Sequence, residues 1–140
     1  MTQASKHDLD AMSEEARIVH DYLEASMKPD PETAATFLAK DVVITFTGGR
    51  VFHEASGPTG FNAMRYKWVK KDMVSFDVAQ GIEGTVVYST GTLFGEWPDG
   101  TAFEGNRYID RFVVKGDKIV RMDVWNDSAE RILTRRGITA

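Results

Sequence analysis

Two aspartates near the end of the chain, Asp110 and Asp123, are the residues whose spacing points most directly to chemistry. They lie in two strand-like runs joined by Gly116-Asp117, which is typical of a two-residue β-hairpin turn. Regular pairing from that turn places Asp110 opposite Asp123, with their Cβ atoms roughly 4.5–5.5 Å apart. Two carboxylates that close do not both ionise readily, so one of them would hold a proton near neutral pH. The spacing therefore predicts an acid-base site.

Strand alternation assigns the neighbours of the two acids to a common sheet face. The predicted face combines aromatic side chains with ionisable groups, as small-molecule pockets do. Its members are Tyr108, Asp110, Phe112, Arg121, Asp123 and Trp125. Two other interpretations remain open: Arg121 neutralises the acids without any chemistry, or a one-residue bulge shifts the register and separates them.

Composition excludes several classes of function. The chain has 140 residues, enough for one domain with a sizeable core, and it has no cysteine for a disulfide, a thiol nucleophile or a thiolate metal site. Its formal net charge of −4 argues against a general attraction to nucleic acid or to an anionic membrane. No long apolar run and no signal-peptide pattern is present, so we expect a cytoplasmic protein without a membrane partner.

Metal and nucleotide sites are not indicated either. The three histidines lack the close spacing of a metal site, and no glycine-rich phosphate loop is present. We therefore expect neither a metal nor a cofactor. The run of bases and aromatics at 64–71 is interpreted as an amphipathic helix with a solvated lysine face, and not as a nucleic-acid site.

The elements that must position the acids are predicted as helices followed by a β-meander. Ser13 and Asp30-Pro31 are typical helix starts, and Gly48-Gly49 and Pro98-Asp99-Gly100 are typical turns. The predicted helices span 13–27, a short segment after Pro31, and 59–71; the predicted strands span 42–46, 50–53, 74–80, 85–97, 101–114 and 118–125. This order predicts an α+β domain over 1–140 in which a curved antiparallel sheet wraps a helical layer, with polar tails at 1–12 and 134–140.

The chain resembles a known superfamily in several places. The order of elements, the run Ile18-Val19-His20-Asp21-Tyr22-Leu23, the segment Ala39-Lys40-Asp41-Val42 and the terminal hairpin are similar to nuclear transport factor 2-like proteins. Within them the chain most resembles the SnoaL-like polyketide cyclases. The resemblance covers roughly 13–133 and implies a single SnoaL-like domain with a cone-shaped, cystatin-like barrel.

The resemblance also implies roles for single residues. Tyr22 and Asp110 match the oxyanion-binding tyrosine and protonated acid of ketosteroid isomerase-like members, whereas Phe46 stands at or near the position of their base. Asp123 matches a working aspartate of the cyclases and of limonene epoxide hydrolase-like enzymes. The latter place an arginine where this chain has Tyr108, so their water-activating triad is incomplete here.

From these residues we expect general acid-base chemistry. Asp123 is the predicted base, Asp110 and Tyr22 the donors to a developing oxyanion, and His53 either a proton shuttle at the pocket mouth or a surface histidine. The remaining aromatics expected to bind substrate are Phe46, Trp68, Trp97 and Phe103. Enolisation of an apolar carbonyl compound would then lead to isomerisation, cyclisation or elimination.

The residues allow two other functions, and they also predict a homodimer. Epoxide opening and ligand binding without turnover are the other functions that the residues allow. A homodimer is expected through an aliphatic sheet face formed by Val113, Val120, Met122 and Val124, because two-fold dimers commonly bury such a face.

Overall fold

N-terminal helices pack against one face of a curved six-stranded sheet. The computed structural model describes residues 9–138. The helices are α1 (Glu14–Met27), α2 (Pro31–Ala35), α3 (Ser56–Arg65) and α4 (Ser128–Arg135). The strands are β1 (Leu38–Thr45), β2 (Val51–Phe52), β3 (Trp68–Gln80), β4 (Thr85–Glu96), β5 (Ala102–Lys115) and β6 (Lys118–Asn126). The predicted α+β class with a curved sheet is confirmed.

The strand order is β2-β1-β6-β5-β4-β3, so β2 and β3 are the edges of an open, curved sheet. Neighbouring strands are antiparallel except β1 and β6, which run parallel. The parallel pair is a departure from the predicted antiparallel sheet. It follows from the chain order, because the whole meander intervenes between β1 and β6 and allows the return in the same direction.

Helix α1 covers the inner face of the sheet. The Ser13 hydroxyl accepts a hydrogen bond from the Ala16 N–H (3.1 Å), which caps the helix as predicted. Val19, Tyr22 and Leu23 recur at helical spacing and are buried against the sheet. Burial of this stripe holds α1 across the inner face and fixes the position of Tyr22.

Helix α3 is shorter than predicted. It ends at Arg65, Tyr66 is extended, and β3 already begins at Trp68, whereas the sequence pattern predicted a helix to residue 71 and a strand from 74. Residues 68–73 pair continuously with β4. These ladder hydrogen bonds outweigh the amphipathic spacing of the run, and Lys71 therefore lies in a strand.

The β5-β6 hairpin contains a bulge that changes its register. Pairing begins as expected, with Val114 opposite Ile119, but the next pair is Val113 with Arg121, so Val120 is an extra residue. As a result Asp110 pairs with Val124, and Asp123 pairs with Arg111. The prediction that the two aspartates oppose one another is wrong, and the bulge left open in the sequence is present.

The register change exchanges the two faces of β6. Met122 and Val124 are buried on the inner face, so the aliphatic dimer face predicted with them is wrong. Arg121, Asp123 and Trp125 lie on the outer face, and Tyr108, Asp110 and Phe112 of β5 point inward together.

The chain ends differ in part from the predicted tails. Leu9–Ala11 form a 3-10 turn, and the other residues of the predicted 1–12 tail up to residue 8 lie outside the described part of the chain. Helix α4 continues to Arg135, so it includes the first two residues of the predicted 134–140 tail.

Within residues 9–138, no helix is both long and apolar enough to cross a membrane.

Candidate active site

A cavity of about 450 Å³ lies between the end of α1, helix α3 and the first residues of β3. Apolar side chains form most of its wall, among them Leu23, Phe46, Leu93, Met122 and Val124. The polar residues Tyr22, Asn62, Tyr66 and Asn126 also line it. An apolar cavity with a few polar groups is the usual form of a small-molecule site.

Lys71 and Asp110 form an ion pair at the inner wall of this cavity. Lys71 lines the cavity from β3, and its Nζ lies 2.9 Å from Oδ2 of Asp110 on β5. The Asp110 side chain is completely buried, and its Oδ1 accepts no hydrogen bond from the described residues. Lys71 therefore lies between the cavity and a buried carboxylate, and it donates a hydrogen bond to one of the two carboxylate oxygens.

Burial raises the pKa of Asp110, and the charge and hydrogen bond of Lys71 oppose this effect without reversing it. Its raised pKa means that Asp110 holds a proton more readily than an exposed aspartate does. One short hydrogen bond joins this carboxyl to the Lys71 amine at the cavity wall. This makes the pair a candidate acid-base unit.

Tyr22 reaches the same cavity from α1. Burial raises its pKa to about 12; a hydrogen bond with Ser26 lowers it, and the nearby charge of Asp110 raises it further. The phenol therefore keeps its proton at neutral pH and can donate a hydrogen bond. Behind it, Phe112 meets the Tyr22 ring edge-on with centroids 6.0 Å apart, which holds the phenol in place.

Tyr108 supports the ion pair from behind. Its ring lies under Lys71, with Nζ 4.5 Å from the ring centroid, in a cation-π contact. Its hydroxyl is 2.9 Å from Oγ of Ser89, and burial raises the pKa of the phenol. Tyr108 and Phe112, both predicted to bind substrate, therefore position the groups that line the cavity.

Asp123, the predicted base, is on the other side of the sheet. Both of its carboxylate oxygens accept hydrogen bonds from Arg121, at 3.0 and 3.1 Å. Trp125 is also on the outer face and is 54% exposed. Strand β6 presents Met122 and Val124 to the cavity. The alternating residues Arg121, Asp123 and Trp125, all predicted for the site, are therefore directed away from it.

The other predicted residues divide between the cavity and its surroundings. Phe46 and Trp68 line the cavity. His53 is exposed outside it, with Nδ1 3.1 Å from the Val42 carbonyl oxygen. Trp97 and Phe103 stack on each other, with centroids 4.3 Å apart, in a separate buried cluster with Tyr66.

Lys71 is the site residue that the sequence analysis missed. The signal was the alternation Val69, Lys71, Met73, which places a lysine on the apolar face of a strand. The helical interpretation of 64–71 hid this pattern. Among residues 9–138, no group of three or more histidine, aspartate or glutamate side chains is arranged to hold a metal ion.

Comparison with known proteins found similar structures. No protein-family model matches the chain, and neither does any curated protein. An NTF2-like protein from Burkholderia pseudomallei is 20% identical, with a TM-score of 0.72 over 92% of this chain and 100% of that one. A putative polyketide cyclase from Xanthomonas campestris pv. campestris is 21% identical, with a TM-score of 0.65 over 86% and 97%.

TerC, co-crystallised with polyporic acid, is 15% identical, with a TM-score of 0.67 over 86% of this chain and 96% of that one. At such identities the likeness establishes the fold alone. The fold that the sequence resemblance implied is confirmed.

Proposed function

We propose that this chain, whose fold is nuclear transport factor 2-like, is a small-molecule enzyme that performs acid-base chemistry on an apolar substrate bearing a carbonyl group. The observation that carries the proposal is the Lys71–Asp110 pair, in which a cavity-lining amine lies 2.9 Å from a completely buried carboxylate. Buried ion pairs contribute little net stability. Perturbed carboxyls at a cavity are typical of catalytic sites.

In the proposed reaction Lys71 is the base. Transfer of its proton to Asp110 leaves a neutral amine at the cavity wall, and the raised pKa of Asp110 favours this exchange. The amine then takes a proton from the carbon next to the substrate carbonyl. The C–H bond breaks, an N–H bond forms, and the electron pair moves to the carbonyl oxygen.

Tyr22 stabilises the resulting enolate. Its hydroxyl keeps its proton, since its pKa is about 12, and it lines the same cavity as Lys71. A donor directed at the oxygen where charge develops lowers the barrier by about 2.7–4 kcal/mol. Return of the proton to another carbon, attack of the enolate on a second carbonyl, or loss of a leaving group would complete isomerisation, cyclisation or elimination. The step needs no cofactor.

Proton exchange is the test of this proposal. In D2O, deuterium should enter the carbon next to the carbonyl of a ketone such as 2-tetralone, which has an aromatic ring, faster with the protein than in buffer alone. Tyr22→Phe should slow the protein-dependent rate about a hundredfold, because it removes the donor and keeps the ring. Loss of resonance intensity in one-dimensional proton NMR spectra measures both rates.

The outcomes separate an enzyme from a binding domain. Asp123→Asn is the control, because Asp123 lies on the outer face and should leave the rate within about twofold of wild type. If a series of bicyclic ketones binds without exchange above buffer, the protein binds ligands without turnover. The absence of any cavity-lining carboxylate among the described residues favours that second candidate.

Epoxide opening has less support. It requires a second acid to activate water, but Asp123 is paired with Arg121 outside the cavity, and Tyr108 replaces the arginine of the related triad. TerC was co-crystallised with polyporic acid, which supports a small organic molecule as ligand in this fold. The putative cyclase neighbour is consistent with enolate chemistry.

We also propose a homodimer, through a sheet face different from the predicted one. Ile109 and Trp125 pair across β5 and β6 on the outer face and are 37% and 54% exposed. Phe94, which is 37% exposed, lies farther along this face. Sedimentation velocity at micromolar concentration should show a dimer, and Trp125→Glu should shift it to monomer. A wild-type monomer would contradict this assignment.

A further inference from the structure

The cavity wall differs in charge from the chain as a whole. The chain has 17 basic and 21 acidic residues, yet Lys28, Lys67, Lys70 and Lys71 line the cavity. Among the residues that the structure describes, no aspartate or glutamate lines it. A cleft with one sign of charge and apolar walls concentrates the field and attracts the opposite charge.

The four lysines lie at two depths. The side chain of Lys71 is 17% exposed and pairs with Asp110, whereas Lys28, Lys67 and Lys70 are exposed residues. Lys67 lies 3.6 Å from Glu96, and Lys28 is near Asp30, whose carboxylate accepts hydrogen bonds from Thr33. These carboxylates lie outside the cavity wall, where the charged residues are all lysines. The side chain of Lys70 shares the outer face with Phe94, its partner on β4, so Lys28 and Lys67 are the exposed lysines of the entrance.

We propose that the substrate is an apolar organic acid, bound with its carboxylate at the lysine-lined entrance and its carbonyl group beside Lys71. The proposal rests on the proposed function in that the same cavity binds the substrate. The apolar wall accommodates the hydrocarbon body, and a carboxylate left at the entrance keeps part of its hydration. Lys28 and Lys67 thereby determine both specificity and the orientation of the molecule.

Binding of two matched probes tests this inference. 2-Naphthoate and 2-naphthamide share one aromatic body and differ in charge. By isothermal titration calorimetry at low ionic strength, we expect the acid to bind at least about tenfold more tightly than the amide. Each exposed ion pair contributes about a twofold to fivefold effect, and several lysines act together. Added salt should reduce the preference, since these charges are accessible to ions.

A pair of double variants locates the effect. K28Q/K67Q should weaken naphthoate binding about tenfold and leave naphthamide binding unchanged. K40Q/K115Q removes the same two charges from exposed positions outside the cavity and should leave the preference intact. Circular dichroism verifies that both variants are folded, which their surface positions favour.

Three results would overturn the inference: equal affinities of the two probes, tighter binding of the amide, or binding of neither probe. Loss of the preference in K40Q/K115Q as well would also contradict it, because net charge and not the cavity lysines would then be responsible. The proposed catalysis fails separately, since deuterium exchange into neutral 2-tetralone does not depend on the entrance lysines.

Discussion

Lys71→Met is expected to lower the rate of deuterium exchange into 2-tetralone by at least about a hundredfold. Proton transfer by a positioned side chain contributes about 10²–10⁴-fold to a rate, and methionine keeps the length of lysine without a basic atom. Lys71 is the basic group that lies both on the cavity wall and 2.9 Å from the buried Asp110 carboxylate. The measurement is kcat by proton NMR, with substrate binding measured separately.

The controls distinguish this role from a general change in charge. Lys115→Met removes a positive charge from an exposed position of the hairpin and should leave kcat within about twofold. Asp110→Asn should also slow exchange strongly, because an amide cannot take the proton of Lys71. Wild-type exchange in Lys71→Met would exclude Lys71 as the base and return the assignment to another group of the cavity.

Asp110 and Tyr22 show what sequence reasoning achieves at this site. Tyr22 was implied by the resemblance to ketosteroid isomerase-like proteins, and only the helix that carries it was predicted from the local sequence. Asp110 follows from strand alternation with Tyr108 and Phe112, and all three point inward. For Asp110, local periodicity within one strand therefore sufficed to predict the face of the sheet.

Asp123 shows where the same reasoning fails. Its face depends on the pairing of two strands, and one extra residue, Val120, reverses the side of every later residue in β6. A bulge adds one unpaired residue to a strand and bends it locally. The local sequence of the hairpin does not reveal it.

Lys71 was missed for a related reason. The residues around it fit both a helical pattern and a strand pattern. Pairing with β4, which lies about twenty residues later in the chain, decides in favour of the strand. The fold class was predictable, because the order of long elements limits the possible arrangements. The full composition of the site depended on non-local pairing.

The stability of Lys71→Met is expected to depend on pH. Below about pH 3.9, the ordinary pKa of an aspartate, Asp110 is protonated in both the folded and unfolded states, and the variant should be close to wild type. Burial already raises the pKa of Asp110 in the wild type, and loss of Lys71 removes the charge that opposes this. At higher pH the folded variant must either retain a proton that the unfolded chain releases or bury an unpaired charge.

The sign follows from proton linkage. A folded state that binds more protons than the unfolded state loses stability as pH rises, by up to about 1.4 kcal/mol per unit for one group. Near pH 8 we expect Lys71→Met to be about 3–5 kcal/mol less stable than wild type, the usual cost of an uncompensated buried charge. Urea unfolding at pH 4, 6 and 8 gives the difference at each pH.

The double variant K71M/D110N makes the cause testable. Asparagine does not titrate, so the stability of this variant should depend less on pH than the stability of Lys71→Met. The double variant should also be more stable than Lys71→Met at pH 8, because it leaves no buried charge unpaired. A stability loss in Lys71→Met that is equal at pH 4 and pH 8 would show that Lys71 acts by packing. The carboxylate and its cation would then not be coupled as their 2.9 Å contact indicates.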